Sequence, residues 1–359
     1  MRYVLSPNIT AIVRGPASLV LHDGDATILG GPFVSHQRKI VSSQKQLPIE
    51  TETRAELEIT LGKSAEILEI PGSTIPASWR LTATALERMR EGRLVVIGPP
   101  DVGKSTLCVY LVNKLLQSGQ SVHIIDADIG QADIGPPTTI AGTSPTHPVA
   151  SLQELTPDGR LFIGHISPSA FERKIISGIK RLAERSEGSL TIINTDGWVA
   201  DREAILYKIN LLTEVNPDLV LGIAYSNELE PILGGVHFHS MKIDAAKDSL
   251  KRSRIDRKSI RADGYRRFLE GGVTRRVHLG GVKLSLPPRI PRASAFNNHL
   301  LNNLIVGLLD NEDHLLEIGI LIDIDREAAV IYSRRTEGVR KIEVGYVRLS
   351  MSGREIGFL

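Results

Sequence analysis

The sequence predicts an α/β fold, in which a central domain with a doubly wound, mostly parallel sheet lies between two small β-rich domains. Between residues 92 and 224, apolar strand-like runs alternate with segments of helical periodicity, as in parallel sheets. Before residue 77 and after residue 271, short β-like runs are separated by turn residues. We therefore expect domains at 1–76, 77–271 and 272–359.

The composition sets the protein class. A chain of 359 residues is long enough for two or three domains with buried cores. The net charge is only +2, so no overall basic field points to nucleic acid. The single cysteine, Cys108, cannot form an intramolecular disulfide, and the sequence shows neither a signal peptide nor an apolar run of about 18 residues. We expect a soluble, cytoplasmic protein without a membrane partner.

The strongest motif follows the apolar run Leu94–Ile97, which ends in Gly-x-x-x-x-Gly-Lys-Ser and leads into a helical pattern. Gly98 and Gly103 allow backbone amides to point inward at phosphates, Lys104 supplies a positive charge, and the Ser105 hydroxyl can bind a magnesium ion. A chance glycine-rich turn is the alternative, and the flanking strand and helix disfavour it. The central domain is therefore predicted to be a P-loop NTPase domain. The residues predicted to bind a nucleoside triphosphate are Gly98, Pro99, Pro100, Asp101, Val102, Gly103, Lys104, Ser105 and Thr106.

Two aspartates follow the next predicted strand, at residues 121–125. Acidic residues at the carboxyl end of a strand beside the P-loop strand are suited to bind a metal ion or to activate a nucleophile. Asp126 can instead cap a turn, a role that is less plausible for both carboxylates together. We expect Asp126, Asp128 or both to serve the chemistry.

The other elements complete the alternation. In the central region we expect strands at 159–164, 190–193 and 218–224 and helices at 78–92, 170–187 and 201–215. In the N-terminal region, strands are expected at 18–21, 26–29 and 55–61. In the C-terminal region, we expect strands at 273–277, 282–286, 318–322, 328–332 and 344–349, with one helical insertion near 298–310.

Trp198 is one of only two tryptophans and follows the strand at 190–193. Aromatic side chains are mostly buried, so a packing role is the simpler interpretation. Its place on a loop at the functional edge of the sheet supports a second interpretation, in which the indole stacks on a nucleobase.

A basic segment covers residues 247–267, with nine basic and three acidic residues. A solvated surface helix explains such a run. Phosphoryl transfer also needs arginines that close over the transferring group, because the charge develops on phosphate oxygens that a guanidinium can clamp. The residues alone leave both interpretations open.

An ordered series of motifs resembles the polynucleotide 5′-hydroxyl kinase family of pre-mRNA cleavage, tRNA splicing and ribosomal RNA processing assemblies, specifically its compact archaeal members. The series consists of Gly15-Pro16-Ala17-Ser18, Ile70-Pro71-Gly72-Ser73-Thr74-Ile75-Pro76, the P-loop, Asp128-x-Gly130-Gln131, Phe162-x-Gly164 through Ser167-Pro168, Asn194-Thr195-x-Gly197-Trp198 and Arg252-Ser253-x-x-x-Arg257. The resemblance covers nearly the whole chain.

The resemblance implies transfer of the ATP γ-phosphate, with Mg²⁺ or another divalent cation, to the 5′-hydroxyl of RNA and sometimes DNA. It implies that Lys104 holds the phosphates and that Ser105 and Asp128 serve the metal, with Asp128 also orienting or deprotonating the acceptor hydroxyl. Gln131, Ser167, Pro168 and Trp198 are the implied RNA-binding residues. Arg252 and Arg257 resemble the lid arginines, and Arg261 is an alternative to Arg252.

The rival interpretation is an ATP-binding assembly factor of an RNA-processing complex that performs no kinase turnover. Lys104, Asp128 and the paired arginines favour catalysis. A GTPase is disfavoured because the sequence lacks an Asn-Lys-x-Asp motif. A partition-type ATPase is disfavoured because Pro99 and Pro100 stand where a second P-loop lysine is usual.

Overall fold

The computed structural model describes residues 1–186, 188–288, 290–291, 296 and 299–359. Among these residues, no helix combines the length and the apolar character needed to cross a lipid bilayer. The chain forms two compact units. The first unit comprises residues 1–124, 144–155 and 183–256, and the second comprises residues 125–143, 156–182 and 257–359. The predicted division into three domains stays a prediction.

The N-terminal region is built from strands, as predicted. They are β1 (Arg2–Leu5), β2 (Ile9–Arg14), β3 (Ala17–Asp23), β4 (Thr27–Ile28), β5 (Gly31–Pro32), β6 (Arg38–Val41), β7 (Gln46–Glu50), β8 (Ala55–Leu61) and β9 (Glu66–Pro71). They pair into antiparallel sheets of order β1-β8-β3-β6 and β5-β4-β7-β2-β9. Ala55, Leu57 and Ile59 of β8 are buried at every second position, which gives this strand one core-facing side.

The central region alternates helices and strands. Its elements are α1 (Ala77–Leu86), β10 (Gly92–Ile97), α2 (Lys104–Gln117), β11 (Val122–Ala127), β12 (Thr139–Thr143), β13 (Gly159–Phe162), α3 (Glu172–Ala183), β14 (Leu190–Thr195), α4 (Arg202–Val215), β15 (Leu219–Ala224), α5 (Glu230–Leu233), β16 (Ser240–Asp244) and α6 (Arg254–Leu269). The strands form a seven-stranded sheet of order β13-β12-β11-β14-β10-β15-β16.

Strand β10 lies inside this sheet, with parallel partners β14 and β15 on its two sides. Leu94, Val95, Val96 and Ile97 are fully buried, which is typical of a parallel strand covered on both faces. Strands β15 and β16 are also parallel, whereas β12 and β13 pair antiparallel. The predicted α/β class with a mostly parallel sheet is confirmed.

The C-terminal region is a second β-rich structure. Its strands are β17 (Val273–His278), β18 (Lys283–Ser285), β19 (Leu304–Leu309), β20 (Leu315–Ile324), β21 (Ala328–Ser333), β22 (Lys341–Leu349) and β23 (Glu355–Phe358). The order is β17-β21-β20-β19-β22-β18, with β23 paired to β22. Neighbours are antiparallel except for β18 and β22, which are parallel.

The prediction of a helix near residues 298–310 is wrong. Residue 298 lies outside the described residues, His299–Leu301 form a single 3₁₀ turn, and Leu304–Leu309 form β19. All six residues of β19 are buried, so the run has no polar face that an amphipathic helix would expose. A Cβ added at Gly307 would lie 2.5 Å from the Phe162 ring, which shows how closely the backbone of β19 is covered.

Two helix boundaries also differ from the prediction. Helix α1 ends at Leu86, and Gly92 already belongs to β10 with a φ of +136°, a left-handed value that a helix does not contain. Helix α3 covers Glu172–Ala183, and the expected end at 187 lies outside the described residues. Strands β12 and β16 were not predicted, because the alanine and glycine in β12 and the lysine and aspartate in β16 are residue types depleted in strands.

Candidate active site

The P-loop occupies the turn between β10 and α2, which confirms the predicted order of strand, loop and helix. Gly98 passes close to β15, the neighbour of β10 in the sheet, since a Cβ at Gly98 would lie 2.3 Å from the Ile223 carbonyl oxygen. Gly103 has a φ of +101°, a conformation that favours glycine. The two glycines therefore permit a close approach and a sharp turn before the first residue of α2.

Lys104 is the first residue of α2 and is buried. Its Nζ donates hydrogen bonds to the carbonyl oxygens of Gly98 and Pro99, each at 2.9 Å. The ammonium group therefore sits within the P-loop, where it can face the outer phosphates of a nucleotide held by the loop amides. Fixed polar groups in a buried setting stabilise anionic phosphates more strongly than the same groups in water.

Ser105 has a polar neighbour that we did not single out from the sequence. Asn194 stands near the carboxyl end of β14, in register with Val96 of β10, and its Nδ2 lies 3.3 Å from Ser105 Oγ. The signal available in the sequence was a polar residue after an apolar strand, within the motif Asn194-Thr195-x-Gly197-Trp198. A hydroxyl and an amide oxygen are ligands of the kind that Mg²⁺ accepts.

The loop after β14 lies against the P-loop. A Cβ at Gly197 would be 2.9 Å from Pro100 N, so only glycine fits there without a shift. Trp198 is half-buried, and its ring stacks on Tyr207 with centroids 5.9 Å apart. Its Nε1 donates to Asp201 Oδ2 at 2.6 Å. The indole is thus packed on one ring but not enclosed.

Arg252 contacts the P-loop directly. Its backbone N–H and its Nη1 donate to the two carboxylate oxygens of Asp101, at 3.0 and 3.3 Å, and its Nε donates to the Gln44 carbonyl oxygen at 3.1 Å. An arginine docked on the phosphate-binding loop is suitably placed to approach a bound anion, because its guanidinium carries several donors. The first unit therefore brings together the P-loop, the Trp198 loop and Arg252.

Asp126, which lies within β11, and Asp128, which follows that strand, have different surroundings in the second unit. Asp126 is buried, and its Oδ2 accepts from the backbone N–H groups of Asp133 and Ile134 at 2.6 and 3.2 Å. Burial, followed by the charge of Asp133, raises the pKa of Asp126 to about 7. Asp126 thus organises a turn, which agrees with the structural role considered from the sequence.

Asp128 is half-buried, and its Oδ1 accepts from the backbone N–H groups of Gly130 and Gln131 at 3.2 and 3.0 Å. This is an Asx-type turn that fixes the carboxylate direction. A Cβ at Gly130 would lie 2.8 Å from the Ile166 carbonyl oxygen, so the Asp128 turn packs on the loop that carries Ser167. The second unit therefore brings Asp128, Gln131 and the Ser167-Pro168 loop together.

Gln131 connects this turn to the basic helix α6. Its Nε2 donates to the Gly130 carbonyl oxygen at 2.7 Å and contacts the Arg257 carbonyl oxygen at 3.4 Å. Arg261 instead pairs with Glu355 through two nitrogens, Nε and Nη2, and little of either side chain is exposed. The structure therefore ties Arg261 to the C-terminal strand β23, which disfavours it as the alternative lid arginine.

The Ser167-Pro168 loop is shaped by its own side chains. His165 Nδ1 accepts from the Ser167 backbone N–H at 2.9 Å, and the His165 ring stacks on Phe171 with centroids 5.1 Å apart. Ser167 Oγ lies 3.3 Å from Ser169 Oγ. The serine hydroxyls stand at an ordered turn before α3, where they can hydrogen-bond a polar ligand.

Within the described residues, no group of three or more His, Cys, Asp or Glu side chains forms a metal cage. Magnesium ions in nucleotide sites commonly use one or two protein oxygens, completed by phosphates and water. The Ser105 hydroxyl, with Asn194 beside it, and the half-buried Asp128 carboxylate are donors of that type. Ser105 in the first unit and Asp128 in the second, each taken by itself, therefore offer an oxygen donor that fits a nucleotide-bound divalent cation.

Comparison with known proteins agrees with this site. A family model described as the P-loop of the mRNA cleavage and polyadenylation factor CLP1 matches residues 98–271. The matched region begins at the P-loop and ends just after α6. Nucleotide use follows from this P-loop family.

Two archaeal relatives extend the match over most of the chain. The polyribonucleotide 5′-hydroxyl-kinase of Pyrococcus furiosus is 30% identical over 331 residues, which cover 77% of this chain and 93% of the relative. That of Methanocaldococcus jannaschii is 26% identical over 326 residues, or 74% and 90% of the two chains.

A solved structure described as the wild-type Clp1p–Pcf11p (454–563) complex shares the fold. The TM-score is 0.75, the identity is 12%, and the match covers 97% of each chain. At this identity the likeness establishes the fold alone. The identity to the Pyrococcus relative, over nearly its full length, establishes more and confirms the resemblance inferred from the motifs: the chain belongs to the polyribonucleotide 5′-hydroxyl-kinase family.

Proposed function

We propose that this protein is an ATP-dependent polynucleotide kinase that transfers the γ-phosphate of ATP to the 5′-hydroxyl end of RNA. DNA is also an acceptor if the site does not discriminate between ribose and deoxyribose. The observation that carries the proposal is the P-loop with Lys104 buried between its carbonyls, in a chain 30% identical to a polyribonucleotide 5′-hydroxyl-kinase. RNA processing or repair is the corresponding biological setting.

The nucleotide is bound by the loop from Gly98 to Thr106. Its backbone amides and the amino end of α2 face the phosphates, and Lys104 balances their negative charge. Ser105 and Asp128 are the residues that would hold a divalent cation, which would supply positive charge to the phosphate oxygens.

Asp128 orients the acceptor 5′-hydroxyl and accepts its proton. Its turn, fixed by the Gly130 and Gln131 N–H groups, sets the direction of the carboxylate before substrate arrives. The acceptor oxygen then forms a bond to the γ-phosphorus as the bond to the ADP leaving oxygen breaks, and the hydroxyl proton passes to the carboxylate.

Arg252 and Arg257 are the lid arginines. Guanidinium groups stabilise the charge that develops on the transferring phosphoryl group, and closure of the lid excludes water that would otherwise hydrolyse ATP. The contacts of Arg252 with Asp101 support this role, since they place it on the nucleotide loop.

The terminal nucleotides of the acceptor are bound by four residues: Gln131, Ser167, Pro168 and Trp198. Gln131 and Ser167 offer polar groups at one packed pair of turns, and the indole of Trp198 offers a surface for base stacking.

A second candidate function is favoured by one observation, the match of residues 98–271 to the P-loop model of the mRNA cleavage and polyadenylation factor CLP1. In that case the chain would be an assembly factor that binds ATP and RNA-processing proteins without turnover. The two functions differ in the fate of the γ-phosphate.

The test follows that phosphate. RNA with a 5′-hydroxyl is incubated with γ-labelled ATP and magnesium, then digested to mononucleotides. A kinase leaves all label on the nucleotide from the 5′ end. Intact bound ATP with unlabelled RNA would contradict the proposal and favour the assembly factor.

A further inference from the structure

The loop that carries Trp198, residues 196–201, is held by one buried carboxylate. Asp196 Oδ2 accepts from Lys208 Nζ at 2.9 Å and from the Tyr207 hydroxyl at 3.1 Å. Its Oδ1 accepts from the Trp198 backbone N–H at 3.0 Å. Three groups, two of them on α4, therefore converge on one side chain of the loop.

The indole itself is held at two further points. Its ring stacks on Tyr207, and its Nε1 donates to Asp201 Oδ2. Asp201 is also the N-cap of α4, where its Oδ1 accepts from the Ala204 N–H at 2.8 Å. The ring face of Trp198 thus contacts α4, its ring nitrogen contacts the N-cap of α4, and its backbone N–H is bonded to Asp196.

This arrangement is costly, which suggests that it serves more than stability. Lys208 is 0% exposed and Asp196 is 4% exposed, so both charges are almost fully desolvated. Buried ion pairs rarely stabilise a fold more than apolar side chains of similar size would, whereas they do specify geometry in some proteins. Lys208 Nζ also lies 4.8 Å from the Tyr207 ring centroid, which links the pair to the ring under Trp198.

The geometry points to a functional reason for this cost. We infer that Asp196, Tyr207 and Lys208 are positioning residues that hold the Trp198 indole as a preset surface for the base of the acceptor's 5′-terminal nucleotide. The inference rests on the proposed function. The half-buried indole follows Gly197, which touches Pro100 of the P-loop, so the surface lies beside the loop predicted to hold the phosphates.

Preset geometry lowers the entropy lost on binding, because the ring need not be ordered by the ligand. The preset position of the Trp198 indole should therefore strengthen binding of the RNA acceptor, and only when the 5′-terminal nucleotide of the acceptor carries its base. It should not affect ATP binding. A purely structural role of the network would have neither property.

The test compares Tyr207→Leu, which removes the supporting ring, with Tyr207→Phe, which keeps the ring and removes only the hydroxyl. Leu206→Ala, an exposed change on the same helix, is the matched control. With 5′-hydroxyl RNA, we expect Tyr207→Leu to raise KM for RNA about tenfold, as expected for a lost base stack, with KM for ATP unchanged. Lys208→Met should act in the same direction, and Leu206→Ala should match the wild type.

The decisive comparison uses an acceptor whose 5′-terminal nucleotide lacks its base. The wild type and Tyr207→Leu should then have equal KM values, because no base is present to stack. A tenfold difference that persists with the abasic acceptor, or an equal rise of KM for ATP, would overturn the inference.

A binding measurement separates this inference from the proposed function. In a Trp79→Phe background, emission comes from Trp198 alone, and stacking by an RNA acceptor should quench it in the wild-type loop but not with Tyr207→Leu. Absence of phosphoryl transfer together with this quenching would refute the kinase and support the preset surface. Transfer without quenching, or equal quenching in folded Tyr207→Leu, would refute the surface alone.

Discussion

A lysine buried among carbonyl groups is the most informative residue of the site. Burial of the Lys104 ammonium group would destabilise the fold if the group had no hydrogen-bond partner. The carbonyl oxygens of Gly98 and Pro99 accept hydrogen bonds from it and offset this penalty. A bound phosphate would add a full negative charge to this environment. We therefore attribute the position of Lys104 to nucleotide binding.

Lys104→Ala should abolish phosphorylation without unfolding the chain. The missing ammonium removes charge stabilisation from the transferring phosphate, so we expect a loss of at least about a hundredfold in turnover. Rates of label transfer are compared with those of Lys63→Ala, a change at an exposed lysine, and folding is checked by circular dichroism. Near-normal turnover of Lys104→Ala would contradict the assignment.

Asp128→Asn distinguishes catalysis from turn formation. The amide oxygen of asparagine can still accept from the Gly130 and Gln131 N–H groups, so the turn remains while the negative charge is lost. If Asp128 accepts the proton, turnover should fall about a hundredfold or more. Asp128→Ala should then be equally inactive. An active Asp128→Asn beside an inactive Asp128→Ala would assign the residue to the turn.

Trp198→Ala should weaken the use of RNA far more than the binding of ATP. The indole offers a stacking surface, and base stacking on an aromatic ring is worth about 1–3 kcal/mol, or roughly tenfold or more in affinity. Titrations of RNA and ATP measure the two effects separately. Equal losses for both ligands would indicate that Trp198 only packs.

Single residues of the site were predictable where a motif defines them, as with Lys104 and Ser105. Partners that approach from other strands and helices were not. Asn194 reaches Ser105 only because β14 lies beside β10, and Tyr207 reaches Trp198 only because α4 folds back under the loop. Such contacts depend on strand order and helix orientation, which residue types alone do not specify.

At the scale of elements, α4 begins at the end of the Trp198 loop. Its N-cap is Asp201, whose carboxylate accepts from the Ala204 N–H and from the indole. These hydrogen bonds, with the Ala204 N–H first, lower the pKa of Asp201. The cap therefore joins helix stability to the position of Trp198.

Asp201→Ala should lower Tm by a few degrees, because the first turn of α4 loses its cap. Asp201→Asn should cost less, since asparagine also caps helices. The pKa of Asp201 is lower in the folded than in the unfolded chain, so the ionised carboxylate stabilises the folded state. This stabilisation is present above the unfolded pKa of about 3.9 and is lost as the pH falls through the lower pKa of the folded state. Thermal melts of both variants at neutral and acidic pH check this. A Tm for Asp201→Ala equal to the wild type would contradict the capping role.

Elements were predictable where periodicity was clear, as for β8 and α4, whose bounds match within one residue. The strand at Leu304–Leu309 was not predictable, because a short run of buried residues lacks the alternation of polar and apolar positions that distinguishes a strand from a helix. Antiparallel partners β20 and β22 decide in favour of the strand. Only tertiary pairing supplied that information.

At the scale of the whole molecule, the proposed catalytic residues come from distant parts of the chain. Lys104 and Arg252 belong to the first unit, and Asp128 and Arg257 belong to the second. The fold class was predictable, because the alternation of apolar strands and helices extends across the centre of the chain. The two-unit arrangement was not, because it interleaves segments that are separate in sequence.

The central claim is that a 5′-hydroxyl end accepts the γ-phosphate of ATP. The most direct measurement offers γ-labelled ATP and magnesium to matched oligonucleotides: 5′-hydroxyl RNA, 5′-hydroxyl DNA and the same RNA already carrying a 5′-phosphate. We expect label on the 5′-hydroxyl RNA and none on the 5′-phosphorylated RNA, while the DNA result gives the sugar preference. Bound ATP with no label on any acceptor, or equal label on the 5′-phosphorylated RNA, would contradict the claim.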